Sequence, residues 1–149
     1  MRKAVFLIIA GLFLAGFTSA FAAEQKASQF KPRVIKIDRN YDGKIDRTEI
    51  YDDRGVIIKV ESDTNADGKI DEWVYYDNGV PVKGEKDIKG DGKPDTVLIY
   101  DVKGMVIRSE ADANGDGKID EWVYYEAGKP VKAEKDTNKD DKPDTWVNY

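Results

Sequence analysis

Oxygen-bearing side chains recur at a fixed spacing in five short segments of this 149-residue chain. Three segments follow the pattern Asp-x-Asn-x-Asp-Gly-x-x-Asp, with oxygen ligands at positions 1, 3, 5 and 9 and glycine at position 6. These candidate ligands are Asp38, Asn40, Asp42 and Asp46 in loop 1, Asp63, Asn65, Asp67 and Asp71 in loop 2, and Asp112, Asn114, Asp116 and Asp120 in loop 4. Side chains at positions 1, 3 and 5 of a tight loop converge on one point, so the pattern predicts a site for a hard cation.

Two further copies depart from this pattern. Loop 3 keeps Asp87, Asp91 and Asp95 but has Lys89 at position 3, which directs a positive charge toward the metal position and predicts a weak or empty site. Loop 5 keeps Asp136, Asn138, Asp140 and Asp144, with Asp141 in place of the glycine, a substitution that aspartate tolerates at some conformational cost. Position 7 is expected to contribute its backbone carbonyl. This residue is Lys44 in loop 1, Lys69 in loop 2, Lys118 in loop 4 and Lys142 in loop 5.

Calcium is the ion that these ligands predict. Three carboxylates in one loop repel each other by on the order of 1 kcal/mol per pair, and a divalent cation converts that repulsion into attraction. Magnesium fits less well because it demands strict octahedral geometry, and zinc is poorly served because the chain has no histidine or cysteine. The alternative is that the loops are ordinary turns of Asp, Asn and Gly, neutralised by the neighbouring lysines.

The segments between the loops predict the elements that hold them. The first aspartates lie at residues 38, 63, 87, 112 and 136, so each repeat spans 24 or 25 residues. Each unit consists of a loop, an alternating outgoing strand, a glycine turn and a return strand, as in Ile70 to Asp77, Asn78-Gly79 and Val80 to Glu85. The sequence therefore predicts an all-β, antiparallel meander of about ten strands over residues 34–149, with almost no helix.

How this sheet closes is left open by the sequence. The repeat domain begins on a return strand, residues 34–37, and finishes on an outgoing one, residues 142–149, which leaves a closed barrel, propeller-like blades or end-to-end pairing as alternatives. Pro81 and Pro130 lie just inside their return strands, and proline cannot donate to a strand ladder. We therefore expect an open, twisted sheet.

Aromatic side chains mark the outgoing strands. They are Trp73, Tyr75, Trp122, Tyr124 and Trp146. Core packing is the favoured interpretation, because Gly84, Ser109 and Ala133 on the return strands would leave room for large rings. The alternative is an exposed, coplanar ligand face that stacks on sugar rings. The charged residues of the return strands are expected to form cross-strand pairs on a solvated face, namely Lys59/Glu61, Lys83/Glu85, Arg108/Glu110 and Lys132/Glu134.

Residues 1–22 have the features of a cleaved signal peptide. Arg2 and Lys3 precede an apolar run over residues 4–17, and Ala20-Phe21-Ala22 forms a cleavage site. That run is shorter than the about 20 residues of a membrane span, so no span is expected in the mature chain. Residues 23–33 are expected to be a flexible lead-in. The predicted location is the periplasm or the cell exterior, where bound metal would replace the disulfides that this cysteine-free chain lacks.

Charge and residue types exclude other classes of function. The formal net charge is −5, with the acidic residues concentrated in the loops, which argues against nucleic acid as a partner. Without histidine or cysteine, and with its acidic residues at metal-ligand spacing, the chain is not expected to be an enzyme. A protein or a glycan is the expected partner besides calcium.

The loops resemble known calcium loops. Positions 1, 3, 5 and 6 match an EF-hand loop, but position 12 is Val74 in loop 2 and Val123 in loop 4, where an EF-hand has glutamate. With strands on both sides, they are more similar to the nine-position loops of integrin-type FG-GAP repeats. The resemblance covers the loops alone, because the strands lack the Phe-Gly and Gly-Ala-Pro signatures. It implies calcium ligands at positions 1, 3, 5 and 9. We therefore expect a calcium-binding β-repeat protein with a structural or adhesive role, or alternatively a carbohydrate-binding module.

Overall fold

Ten strands form one antiparallel sheet in the computed structural model, which describes residue 31 and residues 33–149. The strands are β1 (Arg33–Ile37), β2 (Arg47–Tyr51), β3 (Ile57–Ser62), β4 (Glu72–Asp77), β5 (Val80–Lys86), β6 (Thr96–Tyr100), β7 (Val106–Ala111), β8 (Glu121–Glu126), β9 (Lys129–Lys135) and β10 (Thr145–Asn148). Their order in the sheet is their order in the chain, and β1 and β10 lie at opposite edges. The predicted open meander is confirmed, and no helix occurs in the described part of the chain.

The N-terminal predictions fall almost entirely outside this range. The predicted signal peptide and residues 23–30 and 32 of the lead-in lie outside the described residues. Arg33, the last residue of the predicted lead-in, belongs to β1, where it pairs with Tyr51.

The glycine turns form as their residue types predict. Asn78 and Gly79 both have positive φ, 49° and 80°, which is the conformation of a two-residue turn whose twist matches the flanking strands. In the longer turn Gly55 takes φ 82°, and the Asp52 carboxylate accepts hydrogen bonds from the backbone N–H groups of Arg54 and Val56. Pro81 pairs with Tyr76 next to a register shift, which is where an interior strand accommodates a proline.

The sheet is a single layer. Val60, 2% exposed, is the one buried hydrophobic residue in the described range. No described helix or second sheet covers either face, so the strands are stabilised mainly by their neighbours in the same layer. The prediction that Trp73 and Trp122 are buried is wrong: both are half-buried, and Trp146 is 56% exposed.

One face of the sheet, which we call the Trp face, alternates charged and apolar side chains. Because directly paired residues share a face, the register defines a row that crosses the sheet. The row contains Thr48, Glu61, Trp73, Glu85, Val97, Glu110, Trp122, Glu134 and Trp146. The ion pairs on this face run along single strands, as in Lys59–Glu61 at 2.7 Å, and not across strands as predicted. The reason is that the residues directly opposite these charged side chains on the neighbouring strands are uncharged.

The opposite face, which we call the Tyr face, carries the small residues. Gly84 pairs with Val74 and Leu98, so it does not lie beside Trp73 as predicted. A Cβ atom at Gly84 would approach the Tyr100 hydroxyl to 3.2 Å, which shows that the small residue makes room for a tyrosine ring. Burial raises the pKa of the Tyr100 phenol. A shallow cavity of about 230 Å³ lies here.

The prediction that small residues lie beside the tryptophan rings is also wrong for Ser109 and Ala133. They pair with Val123 on the Tyr face, away from Trp122. The Ser109 hydroxyl lies 3.4 Å from that of Tyr125.

Candidate metal loops at one end of the sheet

All five loops lie at the same end of the sheet, because each one follows an odd-numbered strand of the antiparallel meander. Adjacent loops are joined by backbone hydrogen bonds from position 1 of one loop to the carbonyl of position 9 of the loop before. These bonds are Asp63 N to Asp46 O (2.8 Å), Asp87 N to Asp71 O (2.8 Å), Asp112 N to Asp95 O (2.9 Å) and Asp136 N to Asp120 O (2.9 Å). The candidate ligands therefore form one continuous acidic row, and each loop is in direct contact with its neighbours.

The aspartate at position 1 anchors each loop. Its carboxylate accepts a hydrogen bond from the backbone N–H of position 6 in all five loops. These bonds are Gly43 to Asp38 (2.9 Å), Gly68 to Asp63 (2.8 Å), Gly92 to Asp87 (2.7 Å), Gly117 to Asp112 (3.0 Å) and Asp141 to Asp136 (2.8 Å). Position 6 needs a left-handed backbone, and Asp141 adopts it with φ 65°, as predicted for loop 5.

Positions 3 and 5 form nested side-chain turns. In loop 2, Asn65 Oδ1 accepts from Asp67 N at 2.9 Å, and Asp67 Oδ1 accepts from Lys69 N at 2.8 Å. Asn40 with Asp42, Asn114 with Asp116, and Asn138 with Asp140 repeat the arrangement. The position-5 carboxylates remain exposed, and in loops 1, 2 and 5 their Oδ2 accepts a hydrogen bond from Nδ2 of the position-3 asparagine, at 3.3, 3.4 and 3.4 Å.

The aspartate at position 9 holds the base of each loop. Asp71 is 4% exposed, and its carboxylate accepts hydrogen bonds from Thr64 N at 3.0 Å, Thr64 Oγ1 at 3.0 Å and Asn65 N at 3.2 Å. Asp46, Asp95 and Asp120 are also buried and accept from the first residues of their own loops. Asp144 does the same but is less buried. The position-9 aspartate thus ties the base of the loop together, and its role as a metal ligand stays a prediction.

One candidate ligand atom has no partner. Asp63 Oδ1 in loop 2 is buried and accepts no hydrogen bond from the described residues. The corresponding oxygen of loops 3, 4 and 5 accepts from the backbone N–H of position 4, from Gly90, Gly115 and Lys139 at 2.6, 2.6 and 2.7 Å. A buried carboxylate oxygen without a donor is costly, so loop 2 is the loop in which an added cation gains most.

The fit of calcium to the loops depends on the donor set. No three acidic side chains lie close enough together to hold a metal ion among residue 31 and residues 33–149, and calcium ligation by positions 1, 3 and 5 stays a prediction. The donors themselves are carboxylate, amide and carbonyl oxygens, which are the ligands of a hard cation. A cavity of about 150 Å³ between loops 2 and 3 is lined by Asp67, Asp71, Asp87 and Asp91 together with Asn65.

Lys89 reaches further than its own loop. Its Nζ lies 2.5 Å from Asp95 Oδ1, at position 9 of loop 3, and 2.9 Å from Asp112 Oδ2, at position 1 of loop 4. Hydrogen bonds to Asp95 and then to Asp112 raise the pKa of Lys89, and Lys89 lowers the pKa of both carboxyls. The charge at position 3 of loop 3 therefore occupies a predicted ligand of loop 4, a contact that the spacing within a single loop does not predict. The 23-residue separation is the 25-residue spacing of loops 3 and 4 less the two positions from position 1 to position 3, and this repeat spacing is the signal that could have found the contact.

Loops 4 and 5 are also joined by ion pairs. Lys118 Nζ lies 2.9 Å from both carboxylate oxygens of Asp141, and Lys139 Nζ lies 3.4 Å from Asp116 Oδ2. The hydrogen bond to Asp141 raises the pKa of Lys118. These side chains are largely exposed, so the pairs contribute little stability and compete only weakly with a bound cation.

The predicted ligand face is assembled in part. Tyr75 and Tyr124 lie on the Trp face and donate to Glu85 at 2.9 Å and to Glu134 at 2.8 Å. Lys59 and Lys132 lie over their rings, at 5.2 and 5.5 Å from the centroids. The tyrosine rings are therefore covered by charged side chains, and Trp146 is the exposed tryptophan of this face.

Comparison with known proteins gives little more. No protein-family model matches the chain, and no curated protein matches it. Two solved structures of TarM, one of them an S. aureus mutant in complex with Fondaparinux, alpha-GlcNAc-glycerol and UDP, resemble it with a TM-score of 0.39 at 16% and 17% identity. The chain spans 22% and 21% of their length, and the match covers 69% of this chain. Likenesses at this level carry no argument about function. No helix in the described residues is long and apolar enough to cross a membrane.

Proposed function

We propose that this protein is an exported calcium-binding β-repeat protein, whose loops bind Ca²⁺ at one end of the sheet and whose sheet has a structural or adhesive role. The observation that carries the proposal is the buried Asp63 Oδ1, which no described donor satisfies. In loop 2 this oxygen, Asn65, Asp67 and the carbonyl of Lys69 would hold the ion, with Asp71 supporting the loop from below. Oxygen ligands of this kind suit calcium, which accepts flexible geometry and completes its coordination with water.

The role proposed for calcium is to stabilise a sheet that has almost no hydrophobic core. A ligand that binds only the folded state stabilises it by RT ln(1 + [L]/Kd), which is about 2.7 kcal/mol per site at a hundredfold excess over Kd. Calcium should therefore raise the melting temperature of the full chain, and magnesium should do so much less. Thermal unfolding followed by circular dichroism in calcium, in magnesium and in EGTA tests this. The same melting temperature in calcium and in EGTA would exclude the proposal.

A second candidate function, glycan binding, is favoured by the placement of the tryptophans. Trp73, Trp122 and Trp146 lie in one row of the Trp face, and none of them is buried. Trp122 and Trp146 are two strands apart, about 9.6 Å from the strand spacing, which suits stacking of successive sugar rings.

Screening the full chain on a glycan array tests this candidate. Trp146→Ala should abolish any binding found there, whereas Val147→Ala should not, because Val147 lies on the same strand but on the Tyr face. Equal effects of the two changes, or no bound glycan, would count against this function.

A further inference from the structure

The two edge strands of the sheet are complementary. In the described residues β1 pairs only with β2, and β10 pairs only with β9. Elsewhere every outgoing strand is followed in the sheet by a return strand, as β4 is followed by β5. By the repeat, β10 is an outgoing strand with a return strand on one side only, and β1 is a return strand with an outgoing strand on one side only, in the described residues. They lie at opposite edges, so within one sheet they do not meet.

Both edges expose apolar side chains that the interior strands cover. Trp146 is 56% exposed and Val147 48%, whereas Trp122 and Val123 at the same repeat positions of β8 are half-buried. At the other edge Val34 is 56% exposed. Register shifts, which twist an edge away from pairing, occur between interior strands and in neither edge pairing. Neither edge strand contains a proline.

We propose that β10 of one copy of this chain pairs in antiparallel fashion with β1 of a second copy, so that the meander continues from one molecule into the next. The register follows from the β4–β5 pair, in which Trp73 lies opposite Glu85 and Val74 opposite Gly84. Shifted to the equivalent repeat positions, the junction pairs Trp146 with Lys36 and Val147 with Ile35. The backbone bond from Asp87 N to Asp71 O would recur between Asp38 N and Asp144 O across the two copies.

The side chains at this junction suit each other on both faces. On the Tyr face Val147, which is 48% exposed, meets the half-buried Ile35, so the contact removes apolar surface from water. On the Trp face Lys36 meets Trp146, and lysines on this face already lie over aromatic rings, as Lys59 does over Tyr75 at 5.2 Å. The junction uses two different surfaces, so each copy keeps one free edge and the contact produces open chains of copies and no closed dimer.

Two single substitutions test this head-to-tail contact in the full chain, purified after export. Val147→Lys blocks the β10 edge, and Val34→Lys blocks the β1 edge; both positions are exposed, so the fold should persist, which circular dichroism checks. Sedimentation velocity should show that the unmodified chain associates with increasing concentration and that each variant alone remains monomeric. An equimolar mixture of the two variants should form dimers and nothing larger, because one intact β10 edge meets one intact β1 edge. Ile107→Lys, at a 42% exposed position of the interior strand β7, is the matched control and should associate like the unmodified chain.

Each other outcome would overturn the proposal. A chain that stays monomeric at all concentrations has no such contact. A variant that dimerises alone indicates symmetric pairing of identical edges. Loss of association in Ile107→Lys indicates contact through a face of the sheet. The edge positions contain no candidate calcium ligand, so calorimetric titration with calcium should give the same result in both variants. A monomeric chain that still binds calcium would therefore refute the assembly and leave the proposed function standing.

Discussion

Loop 2 and loop 4 have the same ligand residues and different surroundings. In loop 2 the buried Asp63 Oδ1 has no donor, whereas in loop 4 both oxygens of Asp112 are satisfied, Oδ1 by Gly115 N at 2.6 Å and Oδ2 by Lys89 Nζ at 2.9 Å. By sequence the two loops were equivalent, and loop 3 was the defective one. Lys89 of loop 3 also weakens loop 4 as a metal site, because the sheet places position 3 of one loop beside position 1 of the next.

This difference shows that the unit that decides metal affinity is larger than nine residues. A lysine at position 3 removes an oxygen from its own loop and neutralises a carboxylate in the following one. Any cation that binds loop 4 must compete with the ammonium group of Lys89 for Asp112, whereas loop 2 offers its oxygen freely. We therefore expect loop 2 to bind calcium more tightly than loop 4.

The largest expected effect comes from removing the position-1 carboxylate of each loop. Asp63→Asn keeps an acceptor for Gly68 N but loses the free oxygen, so it should abolish the calcium-dependent stabilisation of loop 2, about 2.7 kcal/mol at a hundredfold excess of calcium over Kd. Asp112→Asn should reduce the calcium-dependent free energy of unfolding by less than half of that amount. The measurement is the difference in unfolding free energy between calcium and EGTA. Equal losses would show that Lys89 does not distinguish the loops.

Removing the lysine should raise the affinity of loop 4. Lys89→Asn supplies the missing amide oxygen of loop 3 and releases Asp112, so loop 4 should bind calcium about tenfold more tightly, or about 1.4 kcal/mol. Calorimetric titration measures this. Lys93→Asn removes the same charge from loop 3 without touching Asp112 and is the control. An equal gain in calcium affinity in both variants would show that the effect comes from the change in net charge and not from the release of Asp112.

A smaller difference is expected at position 5. Asp116→Ala in loop 4 should cost more calcium-dependent stability than Asp91→Ala in loop 3, by about 1 kcal/mol or less, because loop 3 lacks the position-3 oxygen altogether and loop 4 lacks only a free position 1. Titration of the two variants under identical conditions compares them. A larger loss from Asp91→Ala would mean that loop 3 is the better site.

The smallest effect is a pH dependence in EGTA. Lys89 holds the pKa of Asp112 and Asp95 below the ordinary range, so these carboxylates stabilise the fold above about pH 4 and lose that contribution as the pH falls further. Lys89→Met should therefore show a shallower loss of stability on acidification than the unmodified chain. Urea unfolding at a series of pH values measures the slopes, and identical slopes would show that the ion pairs contribute nothing.

The strand order and turns could be predicted from the sequence because they depend on local rules. Alternating side chains give strands, Asn78-Gly79 gives a two-residue turn, and Gly55 gives a longer one, whatever the rest of the chain does. The faces were assigned wrongly for a different reason. Gly84 would share a face with Trp73 only if β4 and β5 paired without a register shift. Each of the four strand pairs joined by a glycine turn contains such a shift beside the turn. A shift of one position moves a side chain to the other face.

The candidate site was predictable in its residues and not in its contacts. The spacing of Asp63, Asn65 and Asp67 could be read directly. The hydrogen bonds that Asp71 accepts from Thr64 and Asn65 could not, because they depend on how the backbone folds beneath the loop. The reach of Lys89 to Asp112 depends on which loops the sheet brings together.

A sheet one layer thick has a consequence for how such a protein changes in length. Each strand is held by the strand on either side and by no shared interior, so stability is close to a sum of identical neighbour terms. Duplication or deletion of one four-strand unit would alter the width of the sheet and the number of loops while leaving every remaining strand with the partners it had. The number of repeats can therefore change by gene duplication or deletion without a change of fold.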